Sequence, residues 1–209
     1  MTNSSLLFKL LYCIFLFIYG LIRFIFAKGI KNIKIKKSKD DIFEKIKDFI
    51  AFLGMAFIPL ISIFTPFLNN FEIKIPLLII FFSIIGIALD LYFFYLIHKQ
   101  LGINWSPILE IKENQKLIKD GVYKYIRHPM YTQLLLWNIL QGILLCNYFV
   151  EFFGILTMVI FYFSRINSEE ELMIEEFGEE YIKYMENTGR LFPKFNCLFK
   201  KMNSENINK

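Results

Sequence analysis

Five apolar blocks of roughly 17–23 residues dominate this chain. A block of that length matches the ~30 Å hydrocarbon core of a bilayer when it is helical. In lipid, only a helix or a closed barrel satisfies its own backbone hydrogen bonds. The block lengths predict an all-α fold. That fold is a polytopic membrane bundle of about five transmembrane helices with a short helical cytoplasmic C-terminal tail. The 56% hydrophobic content and the 25 Phe are concentrated in these blocks.

The blocks are Leu6–Ala27, Asp48–Leu68, Ile75–Ile97, Met130–Cys146 and Tyr148–Ile166. No small-x-small cleavage site precedes the lysines after the first block, which is read as a retained span. Lys28–Lys47 is basic, either a solvated loop or an amphipathic surface helix. Pro59 and Pro66 predict kinks in the second block. Asn69 and Asn70 form a tight polar connection. Asp90 lies inside the third block, facing either the bundle interior or the interface. Trp105, in LGINWSP, suits an interface anchor. Pro129 fits the first turn of the fourth block, where its missing N–H has no partner to lose. Asn147 makes the turn, so the last two blocks form an antiparallel hairpin. Glu169–Phe177 continues the last helix, Gly178 caps it, and Glu179–Met185 forms a further short helix. The segment Gly189–Pro193 ends regular structure, and the last dozen residues read as frayed.

The net charge of +5 sits between the blocks, chiefly in Lys28–Lys47 and Lys99–Arg127. Cytoplasmic loops are enriched in Lys and Arg. Five spans put both segments and the C-terminus on the cytoplasmic side, with the N-terminus outside. Cys13, Cys146 and Cys197 form no C-x-x-C pair, so neither a disulfide framework nor a metal site is expected. The basic balance is read as topology and lipid attraction, with no nucleic-acid partner.

On this topology GVYKYIRHPMY (Gly121–Tyr131) and Glu169–Glu171 meet at the cytoplasmic end of one hairpin. Their candidate site contains Tyr123, Arg127, His128, Tyr131 and Arg165, facing Glu169 and Glu170. Arginine holds carboxylates with a bidentate fork. A glutamate accepts from ribose hydroxyls or an amine, and aromatic faces pack on a base or a cation. That inventory suits a zwitterionic nucleoside cofactor bound at a membrane surface. There is no G-x-G-x-x-G after a strand, no Walker loop, no H-E-x-x-H and no G-x-S-x-G. Taken singly, each of these residues also reads as an interfacial anchor, a belt aromatic or a solvated helix end.

GVYKYIRHPMY, two apolar helices, and EEELMIEEFGEEYIKYMENTGRLFP together resemble the isoprenylcysteine carboxyl methyltransferase family. The wider group includes phospholipid methyltransferases. The resemblance covers residues 99–195. It implies a methyltransferase core there, behind three N-terminal helices in residues 1–98 and ahead of a flexible tail in residues 196–209. It also implies an integral membrane enzyme that takes S-adenosyl-L-methionine from the cytosol and a lipophilic methyl acceptor from the bilayer. The family's cofactor contacts carry over to Gln115, Lys116, Leu117, Ile118, Tyr123, His128, Pro129, Met130, Tyr131 and Glu169. Its substrate-side arginine carries over to Arg165, and Arg165 and Glu169 are the implied catalytic pair. Gln115 stands where the family often has histidine.

The activity so implied is carboxyl O-methylation of an isoprenylcysteine-like acceptor. Three alternatives are phospholipid amine N-methylation, an NADPH-dependent sterol-type reductase, and a non-enzymatic membrane protein using Asp90. The reductases carry a similar R-H-P-x-Y element with a glutamate soon after the tyrosine; here Thr132-Gln133-Leu134-Leu135 follows Tyr131.

Overall fold

The computed structural model describes residues 3–31, 33–38 and 42–194. The tail at residues 196–209, expected to be flexible, lies outside the described residues. Helix α1 spans Asn3–Ile30 and α4 spans Leu77–Leu101. Between them α2 (Ile42–Phe52), a π-turn (Leu53–Phe57) and α3 (Ile58–Phe64) form one continuous rod. Helix α5 covers Pro129–Leu144, α6 covers Tyr148–Phe177, and α7 covers Glu179–Asn187. All five apolar blocks are helical. Among the described residues, four rods are long and apolar enough to cross a membrane. The fifth, α5, has 16 residues, about 24 Å of helix, so it crosses less than a full hydrocarbon core.

The second rod departs from expectation in two ways. It begins at Ile42, so the stretch read as loop or surface helix supplies the first turns of a span. Its distortion belongs to Pro59 alone. A proline at 59 cannot donate to the carbonyl of Met55, and the ladder widens into the π-turn just before it. The side chain of Gln141 donates to that freed Met55 carbonyl at 3.4 Å. Pro66 lies beyond the helix end at Phe64 and kinks nothing.

The two basic connections meet. Strand β1 (Ile35–Ser38) pairs antiparallel with β2 (Glu110–Lys112), with Lys37 opposite Ile111. This pair of short strands was not expected from an all-α pattern. At the other end of the bundle Glu72 bridges Asn147. Asn147 also donates to the Leu68 carbonyl at 2.8 Å and caps α6 by accepting from the amides of Phe149 and Val150. The connections therefore sort to opposite ends of the bundle, as the five-block pattern requires.

Helices α1, α4 and α5 pack around Tyr12, Ile87, Leu91, Trp137 and Leu144. Polar side chains are bonded across this core. Tyr12 and Trp137 both donate to Gln141 Oε1, at 2.8 and 3.0 Å. Asp90 is 3% exposed and accepts from Gln133 Nε2 at 2.7 Å. It faces the interior, because an unpaired carboxylate on the lipid side would be far costlier. The α5–α6 hairpin closes tightly: a Cβ on Gly142 would lie 2.3 Å from Glu151 Cβ. Large apolar side chains such as Phe17, Phe64 and Leu77 cover the outer faces and suit contact with lipid.

Candidate active site

The site is built at the end of the bundle that carries β1 and β2. Residues Gly121–Lys124 form a 3-10 turn entered through Gly121 at φ +59°. There the left-handed backbone lets the Val122 amide reach Gln100 Oε1 at 3.0 Å. His128 is the N-cap of α5 and Pro129 its first residue.

The segment before α5 is stitched to the chain's far end. The Arg127 amide donates to the Gly189 carbonyl at 2.9 Å, and the His128 amide to the Arg190 carbonyl at 3.1 Å. The Thr132 hydroxyl donates to the Leu191 carbonyl at 2.7 Å. Tyr184 of α7 donates to the Tyr123 carbonyl at 2.7 Å. The Gly189–Pro193 stretch ends regular structure, as expected, and its first residues pack behind the Tyr125–Thr132 segment.

Glu169 and Glu170 are neighbours on α6, about 100° apart around the helix. They face different surroundings. Glu170 accepts from Arg127 Nε at 2.7 Å, from Arg190 Nη2 at 2.5 Å, and pairs with His128 Nε2 at 3.2 Å. Its side chain is 6% exposed, against 33% for Glu169. Glu169 accepts from the Tyr131 hydroxyl at 2.8 Å and lies 3.4 Å from His128 Nδ1. Glu170 is thus a buried clamp among three cationic groups, while Glu169 turns toward a cavity.

Burial works against protonation of His128, but the carboxylates of Glu169 and Glu170 more than offset it. Its pKa stands above the ordinary histidine value. The sign of the linkage follows. The stability contributed by the His128 cation is fully present below the unfolded value of about 6.5. It is lost as pH rises through the folded value. Melting temperature measured across pH 5–9 should therefore fall through that window in the parent protein. The fall should flatten in His128→Asn; an equal slope in both would show that His128 does not carry it.

The cavity encloses about 1160 Å³ of empty space, part of it open to solvent. Its wall includes Gln115, Leu117, Ile118, Tyr123, His128, Pro129, Met130, Tyr131, Arg165 and Glu169. Lys116 is the one expected contact that does not line it. Its backbone amide instead donates to Asn104 Oδ1 at 3.0 Å and pins the strap beside the cavity.

Arg165 sits one helical turn before Glu169, so the two share a face of α6. Its Nη1 donates to Asp48 Oδ1 at 2.7 Å, and its Nε lies 3.4 Å from Glu44 Oε2. The guanidinium carbon lies 4.9 Å from the centre of the Phe161 ring. Asp48 and Glu44 were not among the expected site residues. They fall in a stretch that reads as loop and span start, and no local pattern points them at Arg165.

Several other wall residues were missed for the same reason. Trp105 is 3% exposed rather than anchored at an interface, and it packs 4.7 Å from the His98 ring. Leu109, Leu172 and Met173 pack together beside the cavity. The buried Lys112 donates through Nζ to the carbonyls of Ile103 and Trp105. Burial holds its pKa below the ordinary lysine value. Two surface pairs close the basic connection onto α6: Lys36 with Glu176 at 2.7 Å and Lys37 with Glu175 at 3.1 Å. Among the described residues, no group of three or more His, Cys, Asp or Glu is placed to hold a metal ion.

Comparison with known proteins bears on this geometry. Residues 78–175 match the isoprenylcysteine carboxyl methyltransferase (ICMT) family. The chain is 34% identical over 97 residues to the Homo sapiens protein-S-isoprenylcysteine O-methyltransferase, covering 44% of this chain and 34% of that protein. It is 36% identical over 90 residues to the Saccharomyces cerevisiae protein of the same name, covering 42% and 38%. Protein-S-isoprenylcysteine O-methyltransferase B of Arabidopsis thaliana is 29% identical over 97 residues, covering 46% and 49%. The matched region therefore spans half or less of these relatives. The solved structure of the eukaryotic intramembrane Ras methyltransferase ICMT superposes with a TM-score of 0.52 at 22% identity. That match covers 74% of this chain and 53% of the solved one. Over residues 78–175, a little under half of its length, the chain is similar to the isoprenylcysteine carboxyl methyltransferase family, and its helical fold is similar to that of the solved enzyme.

Proposed function

We propose that this protein is an integral membrane methyltransferase that uses S-adenosyl-L-methionine. Its acceptor is lipophilic, and its reaction is carboxyl O-methylation of an isoprenylcysteine-like group. One observation carries the reading. The resemblance-derived contacts from three separate stretches, Gln115–Ile118, Tyr123–Tyr131 and Arg165–Glu169, converge on one cavity, with Lys116 the exception. The donor set there fits the cofactor: a part-exposed carboxylate at Glu169, aromatic faces at Tyr123 and Tyr131, and apolar packing from Leu117 and Ile118.

The bound cofactor would supply a methyl group already made electrophilic by a sulfonium. The chain's task is then to bind, orient and keep out water. Glu169, held by Tyr131 and His128, offers a carboxylate of set direction to a hydroxyl or amine. The Arg127–Glu170–Arg190 clamp keeps that wall rigid. On the other wall Leu134 and Phe161 are apolar, and Arg165 beside them is the candidate partner for the acceptor carboxylate. A carboxylate acceptor has no proton to remove, so no residue is required as a base. An amine acceptor would require one, for which Glu169 is the candidate.

The basic residues of the two connections at this end support a cytoplasmic face for the site, with the N-terminus outside. The reading rests on a core in residues 99–195 behind three supporting helices. It is tested by calorimetric titration of detergent-purified protein with S-adenosylhomocysteine, then by methyl transfer to farnesylated N-acetylcysteine. Saturable binding and base-labile methyl ester formation are expected. Well-folded protein that binds no S-adenosylhomocysteine would sink the reading.

A further inference from the structure

The pocket's arginines differ in what neutralises them. Arg127 is paired with Glu170 at 2.7 Å, and Arg165 is paired with Asp48 at 2.7 Å and approached by Glu44. Arg23 also lines the cavity, from the inner end of α1. Among the described residues no carboxylate lies within ion-pair distance of it. Its guanidinium carbon instead lies 5.5 Å from the centre of the Trp105 ring, and the group also makes a hydrogen-bonding contact with the neutral Tyr19 hydroxyl, which leaves its charge unmatched. The two carboxylates on the cavity wall are engaged elsewhere: Glu110 accepts from Ser106 at 2.7 Å and Glu169 from Tyr131 at 2.8 Å.

An arginine within a membrane-spanning helix is costly unless it is paired or serves a ligand. A guanidinium held over an indole and bonded to one hydroxyl keeps further N–H donors for a ligand. We propose that Arg23 is a carboxylate-binding residue of this cavity, completed by the ligand's own anion. It lies outside the matched segment of residues 78–175. The ligand rests on the methyltransferase reading above, which offers two sources of one chemistry: the amino-acid carboxylate of the cofactor and the carboxylate of the acceptor. Arg165, its charge already matched by the acids of α2, would then act beside Arg23 and not alone.

The test compares parent protein with Arg23→Gln in three arms. These are titration with S-adenosylhomocysteine, titration with its decarboxylated analogue, and initial rates with farnesylated N-acetylcysteine. A charged hydrogen-bonded pair predicts a loss of about 10- to 100-fold. If the cofactor supplies the carboxylate, S-adenosylhomocysteine binding weakens by that factor and the decarboxylated analogue binds both proteins equally. If the acceptor supplies it, S-adenosylhomocysteine binds both equally, while KM for the acceptor rises by that factor at unchanged kcat. Unchanged Kd and KM in a variant with parental melting temperature overturn the proposal and leave Arg23 as a helix anchor. Should Arg23→Gln fail to fold, Arg23→Lys decides. It keeps the charge but loses the bidentate fork, and parental values in every arm then overturn the proposal. A parent protein that binds no S-adenosylhomocysteine overturns the methyltransferase reading first, and this ligand assignment with it.

Discussion

Glu170→Ala should unfold the site end of the bundle. The substitution leaves Arg127 buried without its carboxylate, takes from His128 one of its two, and removes the ion pair of Arg190 to α6. Removing one partner of a buried ion pair costs about 3–5 kcal/mol. Arg127 Nη1 still donates to the Thr188 carbonyl, but that bond alone does not neutralise a guanidinium. The backbone bonds from Arg127 and His128 to Gly189 and Arg190 depend on the same seam. A large fall in melting temperature, or loss of a monodisperse detergent complex, is therefore expected. Glu175→Ala is the matched control. Its pair with Lys37 is exposed on both sides, and such pairs contribute about 0–1 kcal/mol. Equal melting temperatures for the two variants would refute the clamp.

Glu169→Ala should do the reverse, sparing the fold and abolishing cofactor binding. Glu169 makes one hydrogen bond to Tyr131 and contacts His128, which keeps its second carboxylate in Glu170. The loss to stability should be about 1 kcal/mol, the worth of an ordinary hydrogen bond. The loss to S-adenosylhomocysteine affinity should reach about 100-fold, because a carboxylate acceptor for a hydroxyl or amine has no substitute on that wall. Calorimetry and thermal denaturation of the same preparation separate the two effects. Parental affinity in this variant would remove Glu169 from the cofactor site. Parental affinity lost together with the fold would instead make it a second clamp.

The contrast between these adjacent glutamates shows where reading the chain stops. Both stand in the same acidic run, and hydropathy treats them alike. A helix sends successive side chains in directions about 100° apart, so their fates depend on what lies on either side of α6. On one side are Arg127 and Arg190, which are far apart in sequence and meet only because Gly189–Leu191 lies against Tyr125–Thr132.

Features carried by local chemistry were legible. Block length and continuous apolarity dictate spanning helices, since lipid offers the backbone no other partner. Pro129 opens α5 and Asn147 caps α6 because each is suited to that position by its own atoms. Gly178, at φ +54°, breaks α6 from α7 where a side chain would strain the backbone. The R-H-P-x-Y and acidic elements, being contiguous, were also recognisable.

Long-range pairings were not legible. Pairing β1 with β2 joins two connections that each read as polar loop. Asp48 and Glu44 meet Arg165 across more than a hundred residues. Arg23 reaches the cavity, and Trp105 is buried beneath it, only once α1 packs against the turn after α4. Hydropathy, caps and turns are properties of a residue and its near neighbours, and they settle which segments are helical and which ends of the bundle they join. Which charge neutralises which depends on distances of a few ångströms between segments distant along the chain, and packing alone sets those.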